Sequence, residues 1–385
     1  MATIPDYLDW RGDIPFSVSP VNEVDDFILC KIGTPDLRGI VPQDASYVPL
    51  RRAVEVYIAT GGETRLGLVA SKQTVPVFRR LPETVRFGEL MLTGYRLSID
   101  EERTEQFSAL TVQLPDGRHV VTFRGTDDTL VGWKENFLLA VRSATSAQEH
   151  AARYLRWAAE VYPGELVLSG HSKGGNLAVY AASMAPPEIQ DRIVRICDYD
   201  GPGFQESFFR NPGFQRIRGK IRAVIPHNAM VGTLLSQARG LEPAVVRSTV
   251  FNNISGHDGF TWEVGPTGFV PAEGLSPSAR AFDKAMDQVL TGMTMAEREA
   301  FIGEFFGALG SAGAETLTDV TEQRLRQVWQ MMRSLQQEPG VRRLVADTLE
   351  ALIKGYAAER GLSLPRLPRR FRRKNREEEG PKAEP

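Results

Sequence analysis

The chain has few of the residues that metal centres and disulfide scaffolds need. Only two cysteines, Cys30 and Cys197, occur among its 385 residues, too few for a zinc quartet or a disulfide framework. Both lie in apolar stretches, so we expect buried structural thiols. The sequence also lacks a phosphate-binding loop, a dinucleotide fingerprint and a metal-ligand cluster. It therefore predicts a protein that works without a metal or a cofactor.

A strong net charge and long apolar runs are absent as well. The formal net charge of −2 argues against a specific nucleic-acid partner. The first residues, MATIPDYLDWRGD, lack the basic and apolar regions of a signal peptide, and no apolar stretch is long enough to span a membrane. With 42% hydrophobic and 24% charged residues, the composition is ordinary for a soluble globular protein. We therefore expect a cytoplasmic protein.

A change of composition near residue 273 predicts three parts. Residues 1–272 alternate strand-like and helical segments and predict one α/β domain. Residues 273–362 have helical periodicity and predict a helical extension. Residues 363–385 contain the run RRFRRK, then EEE, and almost no apolar side chains, which predicts a disordered tail. The basic run is a candidate for weak contact with an anionic membrane surface.

Strand-like runs in the first part recur with helical segments between them. The runs lie at 109–114, 119–123, 166–169, 193–197, 221–225 and 247–252, and the clearest helical segments at 148–162 and 174–184. The segment 85–95 suggests only short, irregular elements. This alternation predicts a mainly parallel sheet with flanking helices, in which functional sites form at the carboxyl ends of the strands.

The most informative stretch is LVLSGHSKGGNLAVYAA at 166–182. An apolar run leads into a G-x-S-x-G pattern that opens a helix, which is the sequence of a nucleophile elbow. Ser172 is the predicted nucleophile, and the flanking glycines leave room for a strained strand-to-helix turn. The predicted elbow consists of Gly170, His171, Ser172, Lys173, Gly174 and Gly175.

A serine nucleophile needs a basic partner, normally a histidine. The five histidines of the chain are His119, His150, His171, His227 and His257. His257 is the predicted base because it follows the last predicted strand, and in this fold the histidine comes after the nucleophile and the acid. His227, at an earlier strand end, stays open as the alternative. The three others lie upstream of the nucleophile or within the elbow, where a structural role is expected.

The acid and the oxyanion hole are predicted from strand ends. Asp200 ends the strand after the nucleophile strand and is the first choice for the acid, while Asp198 shares its face but lies deeper. The alternative is that Asp200 caps the following turn. Two N–H groups are needed for the oxyanion, and we expect them from the main chains of Lys173 and Thr126.

These motifs together resemble the class 3 lipase group of α/β-hydrolases. The segment Phe123–Thr126 is similar to the F-R-G-[ST] turn that supplies the oxyanion donor in that group, and the elbow is similar to its G-H-S-L-G-G. The likeness covers roughly residues 1–310 and is closest to a bacterial branch with the elbow G-H-S-K-G-G-N-L-A. It implies an α/β-hydrolase-like sheet with flanking helices, followed by the helical extension.

Two positions depart from the class 3 pattern. Lys173 replaces the usual leucine, so its ammonium either lies beside the oxyanion hole or pairs with Glu135 or Asp200. Asn228 occupies the usual place of the acid, after the strand at 221–225. The expected function is an intracellular serine hydrolase that cleaves a small acyl ester or a lipid ester. The alternative is a weak or inactive hydrolase-fold scaffold that binds a protein partner or a membrane surface.

Overall fold

We analysed a computed structural model of the chain. It describes residues 1–62, 71–127, 129–139, 141–235, 242–250 and 253–280, and isolated positions between 283 and 306. The chain divides into two compact units, 1–336 and 337–385, and everything below concerns the first. Apart from those isolated positions, the predicted helices beyond residue 280 and the predicted tail lie outside the described residues and stay predictions.

An eight-stranded sheet forms the centre of the described structure, and its strands follow one another in chain order. The strands are β1 (Val48–Pro49), β2 (Met91–Asp100), β3 (Glu105–Gln113), β4 (His119–Phe123), β5 (Leu166–His171), β6 (Ile193–Tyr199), β7 (Ile221–Pro226) and β8 (Ala244–Val246). Strands β1 to β4 pair antiparallel and β4 to β8 pair parallel. This arrangement confirms the predicted fold class, a mainly parallel sheet of the α/β-hydrolase kind.

Helices cover both faces of this sheet. They are α1 (Ile4–Arg11), α2 (Glu23–Ile32), α3 (Leu50–Ala59), α4 (Thr74–Arg80), α5 (Leu130–Leu138), α6 (Ser146–Val161), α7 (Lys173–Ser183), α8 (Pro187–Arg192), α9 (Pro212–Ile217) and α10 (Asn253–Gly256). In β5, Val167 belongs to the core shared with α1 to α4, whereas Leu166 and Leu168 belong to the core shared with α6, α7 and α9. Because successive side chains of a strand point to opposite faces of the sheet, those of β5 pack into two separate cores.

Helix α2 is fixed through its N-terminal cap and first turn. The Asn22 side chain caps it by accepting hydrogen bonds from the N–H groups of Val24 and Asp25, which stabilises its first turn. Asp25 forms a buried ion pair with Arg86. Ser169 of β5 donates to the Asp26 carbonyl at 3.3 Å, so α2 lies directly against the strand that leads to Ser172.

Two sequence predictions about strands were wrong in whole or in part. Irregular elements were predicted over 85–95, but residues 91–95 begin the long strand β2, and only 85–90 lie outside a strand. A bulge between Thr93 and Arg96, with Gly94 at φ +66°, interrupts the alternation by which this strand could have been predicted. Of the strand predicted at 247–252, the described residues 247–250 do not join the sheet. The N–H groups of Arg247 and Thr249 bond to carbonyls of residues 270 and 261 instead, and residues 251–252 lie outside the described part.

Candidate active site

Ser172 lies between β5 and α7 with a strained backbone. Its φ of 59° and ψ of −133° fall in a region that non-glycine residues seldom adopt. The Ser172 N–H donates to the Tyr199 carbonyl at 2.9 Å, which holds the turn against the end of β6. This is the backbone that the nucleophile-elbow prediction requires.

Close approach of neighbouring main chains explains the elbow glycines. A Cβ at Gly170 would lie 2.1 Å from the Gly174 carbonyl, and a Cβ at Gly174 would lie 2.1 Å from the Phe123 oxygen. Both distances are far below van der Waals contact, so neither position accepts a side chain without displacing backbone. The predicted oxyanion loop that follows β4 is thereby held next to the elbow.

His257 and Asp200 form the tightest acid–base contact of the site. His257 Nδ1 lies 2.6 Å from Asp200 Oδ2, the carboxylate is fully buried, and the imidazole is 23% exposed. The other oxygen, Asp200 Oδ1, accepts the Gly232 N–H at 2.9 Å. Burial raises the pKa of Asp200 and the hydrogen bond from His257 opposes the rise. Because Nδ1 donates to the carboxylate, the lone pair of Nε2 is available to accept a proton.

The remaining histidines have other partners. His119 Nε2 contacts the Tyr47 hydroxyl at 2.8 Å, at the amino end of β4. His150 Nδ1 lies 3.1 Å from Glu105, and His227 Nδ1 accepts the Ser248 N–H at 3.1 Å. His227, the open alternative for the base, therefore has its Nδ1 engaged by main chain rather than by a carboxylate.

Asp198 takes the turn-capping role that the sequence allowed for Asp200. Its Oδ1 accepts the Gly201 N–H at 3.1 Å. Burial, with a smaller contribution from the charge of Asp200, raises the pKa of Asp198 to about 7. Asp198 thus lies beneath the elbow as a buried carboxyl group without a basic partner among the described residues.

The two predicted oxyanion donors lie on adjoining segments. A Cβ built at Gly125 would be 3.3 Å from Ser172 Cβ, so the loop that carries Thr126 runs alongside the nucleophile. Within the described residues, the N–H groups of Thr126 and Lys173 donate to no protein acceptor. The Thr126 hydroxyl is held by the Asn136 side-chain amide, which leaves the main chain as the free donor.

The Lys173 side chain turns away from the oxyanion hole. Its ammonium is fully buried and donates to the carbonyl and side-chain oxygen of Gln106 at 2.6 and 2.7 Å and to Glu135 at 3.0 Å. Of the sequence-based alternatives, pairing with Glu135 is the one observed. Asn228, where an acid was expected, donates to the Val250 carbonyl at 3.0 Å and packs against Gly256.

Sequence reasoning missed two residues that hold the His257 loop. Trp262 Nε1 donates to the Gly256 carbonyl at 2.8 Å. Lys31 Nζ lies 3.1 Å from His171 Nδ1, and His171 Nε2 lies 2.7 Å from the His257 carbonyl. No local pattern could have singled out Lys31, because 140 residues separate it from His171.

No hydrogen bond links the Ser172 hydroxyl to the His257 imidazole within the described structure. Catalytic hydrogen bonds of this kind are often long or misaligned until substrate is bound. The described residues also contain no group of three or more histidine, cysteine or acidic side chains that could hold a metal ion, and none of their helices is long and apolar enough to cross a membrane.

A model of the Mbeg1-like family matches residues 81–307, more than half of the chain. The chain belongs to the Mbeg1-like family. The matched region of this Mbeg1-like protein contains the oxyanion loop, the elbow, Asp200 and His257. No curated protein matches the chain.

Two solved lipase structures share a remote structural likeness with this Mbeg1-like protein. A crystal structure of M37 lipase is 12% identical, with a TM-score of 0.35, and the alignment covers 54% of this chain and 68% of the lipase. The native propeptide complex of Rhizomucor miehei lipase is 13% identical, with a TM-score of 0.30 and coverage of 45% and 67%.

Proposed function

We propose that the protein is a serine hydrolase that cleaves a carboxylic ester through an acyl-enzyme. The observation that carries the proposal is the 2.6 Å contact of His257 Nδ1 with the buried Asp200, in a site that also contains the strained Ser172. A nucleophile, a base with a free Nε2 and an acid that orients the base are the components that serine catalysis needs.

Each residue has one role in the proposed reaction. Ser172 Oγ attacks the acyl carbon while His257 Nε2 takes its proton, and Asp200 stabilises the imidazolium that forms. The main-chain N–H groups of Lys173 and Thr126 donate to the oxyanion. His257 then protonates the leaving alcohol, and a water molecule, deprotonated by the same imidazole, hydrolyses the acyl-enzyme.

A small acyl ester or a lipid ester is the proposed substrate, and the cytoplasm the proposed location. Thioester and amide cleavage would use the same groups, so ester specificity is part of the proposal. The scaffold alternative rested on the missing carboxylate near Asn228. Asp200, directly after β6, offers a carboxylate instead and thereby favours the hydrolase over the scaffold.

Labelling with a fluorophosphonate serine probe tests the proposal. We expect the purified wild type to be labelled and to hydrolyse short p-nitrophenyl acyl esters, and Ser172→Ala and His257→Ala to lose both properties. His150→Ala is the matched control, because His150 also contacts a carboxylate, Glu105, at 3.1 Å but has no proposed role. Labelling that persists in Ser172→Ala, or a folded wild type that neither reacts nor hydrolyses, contradicts the proposal.

A further inference from the structure

A chain of polar contacts runs from α2 through the elbow to the loop of the proposed base. Lys31, in the last turn of α2, places Nζ 3.1 Å from His171 Nδ1. On the other side of the same ring, His171 Nε2 lies 2.7 Å from the main-chain oxygen of His257. His171 directly precedes Ser172, so one imidazole connects the nucleophile turn with the segment that carries the base.

The protonation of His171 follows from these partners. A carbonyl oxygen only accepts, so the 2.7 Å contact requires a proton on His171 Nε2. Burial and the nearby charge of Lys31 lower the pKa of His171 well below its usual value, so the ring is neutral and Nδ1 has a lone pair. The Lys31 ammonium donates to that lone pair. The two adjacent histidines therefore have opposite tautomers, with Nε2–H on His171 and Nδ1–H on His257.

The surroundings of His171 are otherwise mostly aromatic. Its ring lies 4.6 Å from the His257 ring at 31° and meets Phe27 and Trp262 edge to face. Lys31 Nζ lies 5.3 Å from the Phe27 ring centre. Among the described residues, the charged or titratable groups that face this region are Lys31 and Cys30 of α2, His257 and Asp258 of the following loop, and Asp200 behind His257.

We propose that Lys31 and His171 are positioning residues for the base. Lys31 holds His171 in the neutral Nε2–H form, and this N–H anchors the His257 main chain so that Nδ1 faces Asp200 and Nε2 is directed to the nucleophile. The inference rests on the proposed function. Its second consequence is electrostatic, because a protonated His171 would place a positive charge 4.6 Å from the imidazole that must itself become positive in the reaction.

Three variants separate this role from packing. Lys31→Met removes the donor but keeps a long side chain, Lys31→Arg keeps a donor, and His171→Gln provides an amide that can accept from Lys31 and donate to the His257 carbonyl without titrating. The matched control is Lys72→Met, which removes an exposed lysine. The rate constant of fluorophosphonate labelling is measured from pH 5.5 to 8.5, and thermal unfolding checks that each variant is folded.

We expect Lys31→Met to react ~10-fold more slowly at pH 8, since small displacements of catalytic groups reduce rates by up to about 100-fold. The deficit should widen toward the acid end of the range, because Lys31→Met removes the charge that, together with burial, keeps the pKa of His171 low. Lys31→Arg and Lys72→Met should keep the wild-type rate and profile. In the His171→Gln background, the deficit of Lys31→Met should not change with pH, because a glutamine cannot be protonated.

Two results overturn the inference while leaving the proposed function intact. One is a folded Lys31→Met protein with the wild-type rate and pH profile. The other is an equal loss in Lys31→Met and Lys31→Arg, which would indicate a packing role. Imidazole NMR gives a readout that needs no activity: His171 should stay neutral with a proton on Nε2 throughout this pH range, and its pKa should be higher in Lys31→Met than in the wild type. Titration of His171 in the wild type contradicts the inference whether or not the probe reacts.

Discussion

Two buried carboxylates beside Ser172 each hold a basic side chain. The two pairs differ in whether the basic side chain keeps a nitrogen that can accept a proton. Asp200 contacts His257 Nδ1 at 2.6 Å and Glu135 contacts Lys173 Nζ at 3.0 Å, and both acids are fully buried. The Lys173 ammonium uses three donors on three acceptor atoms. His257 uses only Nδ1 for its acid, and its Nε2 has no hydrogen-bond partner among the residues that the structure describes.

The comparison shows that a buried acid–base pair next to a nucleophile is not by itself a sign of chemistry. The Glu135–Lys173 pair, in which every polar atom has a partner, has a structural role. Glu135 also accepts the main-chain N–H groups of Gln106 and Ala147 at 3.0 and 2.8 Å, and the next residue, Asn136, holds the Thr126 hydroxyl. Helix α5 thus fixes both segments that carry the proposed oxyanion donors, whereas the proposed reaction uses the Asp200–His257 pair.

Replacing Asp200 by asparagine tests the reactive pair and has the largest expected effect. We expect kcat/KM to fall by roughly 10⁴-fold with little change in stability. If the asparagine oxygen keeps the Gly232 N–H, its NH₂ group faces His257 Nδ1 and donates to it. The imidazole proton then lies on Nε2, which has no lone pair left to accept the Ser172 proton. Ester hydrolysis and the midpoint of urea unfolding are the measurements.

Glu105→Gln is the control for this prediction, because Glu105 is the acid of the His150 pair on the same protein. It should keep activity within a factor of about two. A loss below ~10-fold in Asp200→Asn, or an equal loss in both variants, would place the acid elsewhere and remove the distinction between the two pairs.

Breaking the framework pair should cost stability rather than chemistry. Lys173→Leu leaves the Glu135 carboxylate buried without its cation, and we expect unfolding free energy to fall by about 3–5 kcal/mol. In Lys173→Leu/Glu135→Gln the buried charge is gone, but the glutamine offers one oxygen to the two main-chain N–H groups that Glu135 accepts, so the loss should be about 1–3 kcal/mol. Urea unfolding at pH 7.5 measures both.

The double variant should still react with the serine probe, since the proposed oxyanion donor at position 173 is a main-chain N–H. A single variant as stable as the wild type would show that the ion pair contributes nothing. A stable double variant without any reactivity would show that the Lys173 ammonium takes part in the reaction and is not only structural.

The parts of this arrangement that could be predicted from the sequence depend on local sterics and on counting. The turn at Ser172 needs glycines because the Gly170 and Gly174 backbones touch other main chain, and the G-x-S-x-G pattern records that need. Setting aside three histidines left His257 and His227 as candidates for the base, and the order along the chain favoured His257. The turn between β3 and β4 is encoded in the same local way, because Pro115-Asp116-Gly117 is strong turn chemistry and Gly117 has φ +84°.

The parts that failed or were missed depend on contacts between distant segments. Lys31 acts across 140 residues, and nothing in the helix around it marks it as different from a surface lysine. The segment after β8 has the β-branched composition of a strand, yet the Thr249 N–H finds its acceptor at Thr261. The tertiary fold decides which backbone groups form hydrogen bonds with each other, and strand propensity alone does not predict these partners.

Asp198 is a third buried carboxyl group, and it has no basic partner among the described residues. Its replacement should give the smallest of the expected effects, a change in how stability depends on pH. Its pKa is raised to about 7 in the folded protein, against about 3.9 when exposed. Between these values the folded state binds more protons than the unfolded state, so this group lowers stability as pH rises from ~4 to ~7 and has its full unfavourable effect above pH 7.

Asp198→Asn removes that titration while its side-chain oxygen can keep the Gly201 N–H. The new NH₂ group lacks an evident acceptor, which costs roughly 1–3 kcal/mol at every pH. The variant should therefore be less stable than the wild type at pH 4 and gain on it steadily up to pH 7, ending on the order of 1–2 kcal/mol more stable at pH 8, because each unit of pKa shift is worth about 1.4 kcal/mol. Urea unfolding of both proteins at pH 4, 6 and 8 isolates the difference. Parallel stability curves would mean that Asp198 ionises normally in the folded state, and that a buried acid at this elbow needs no base.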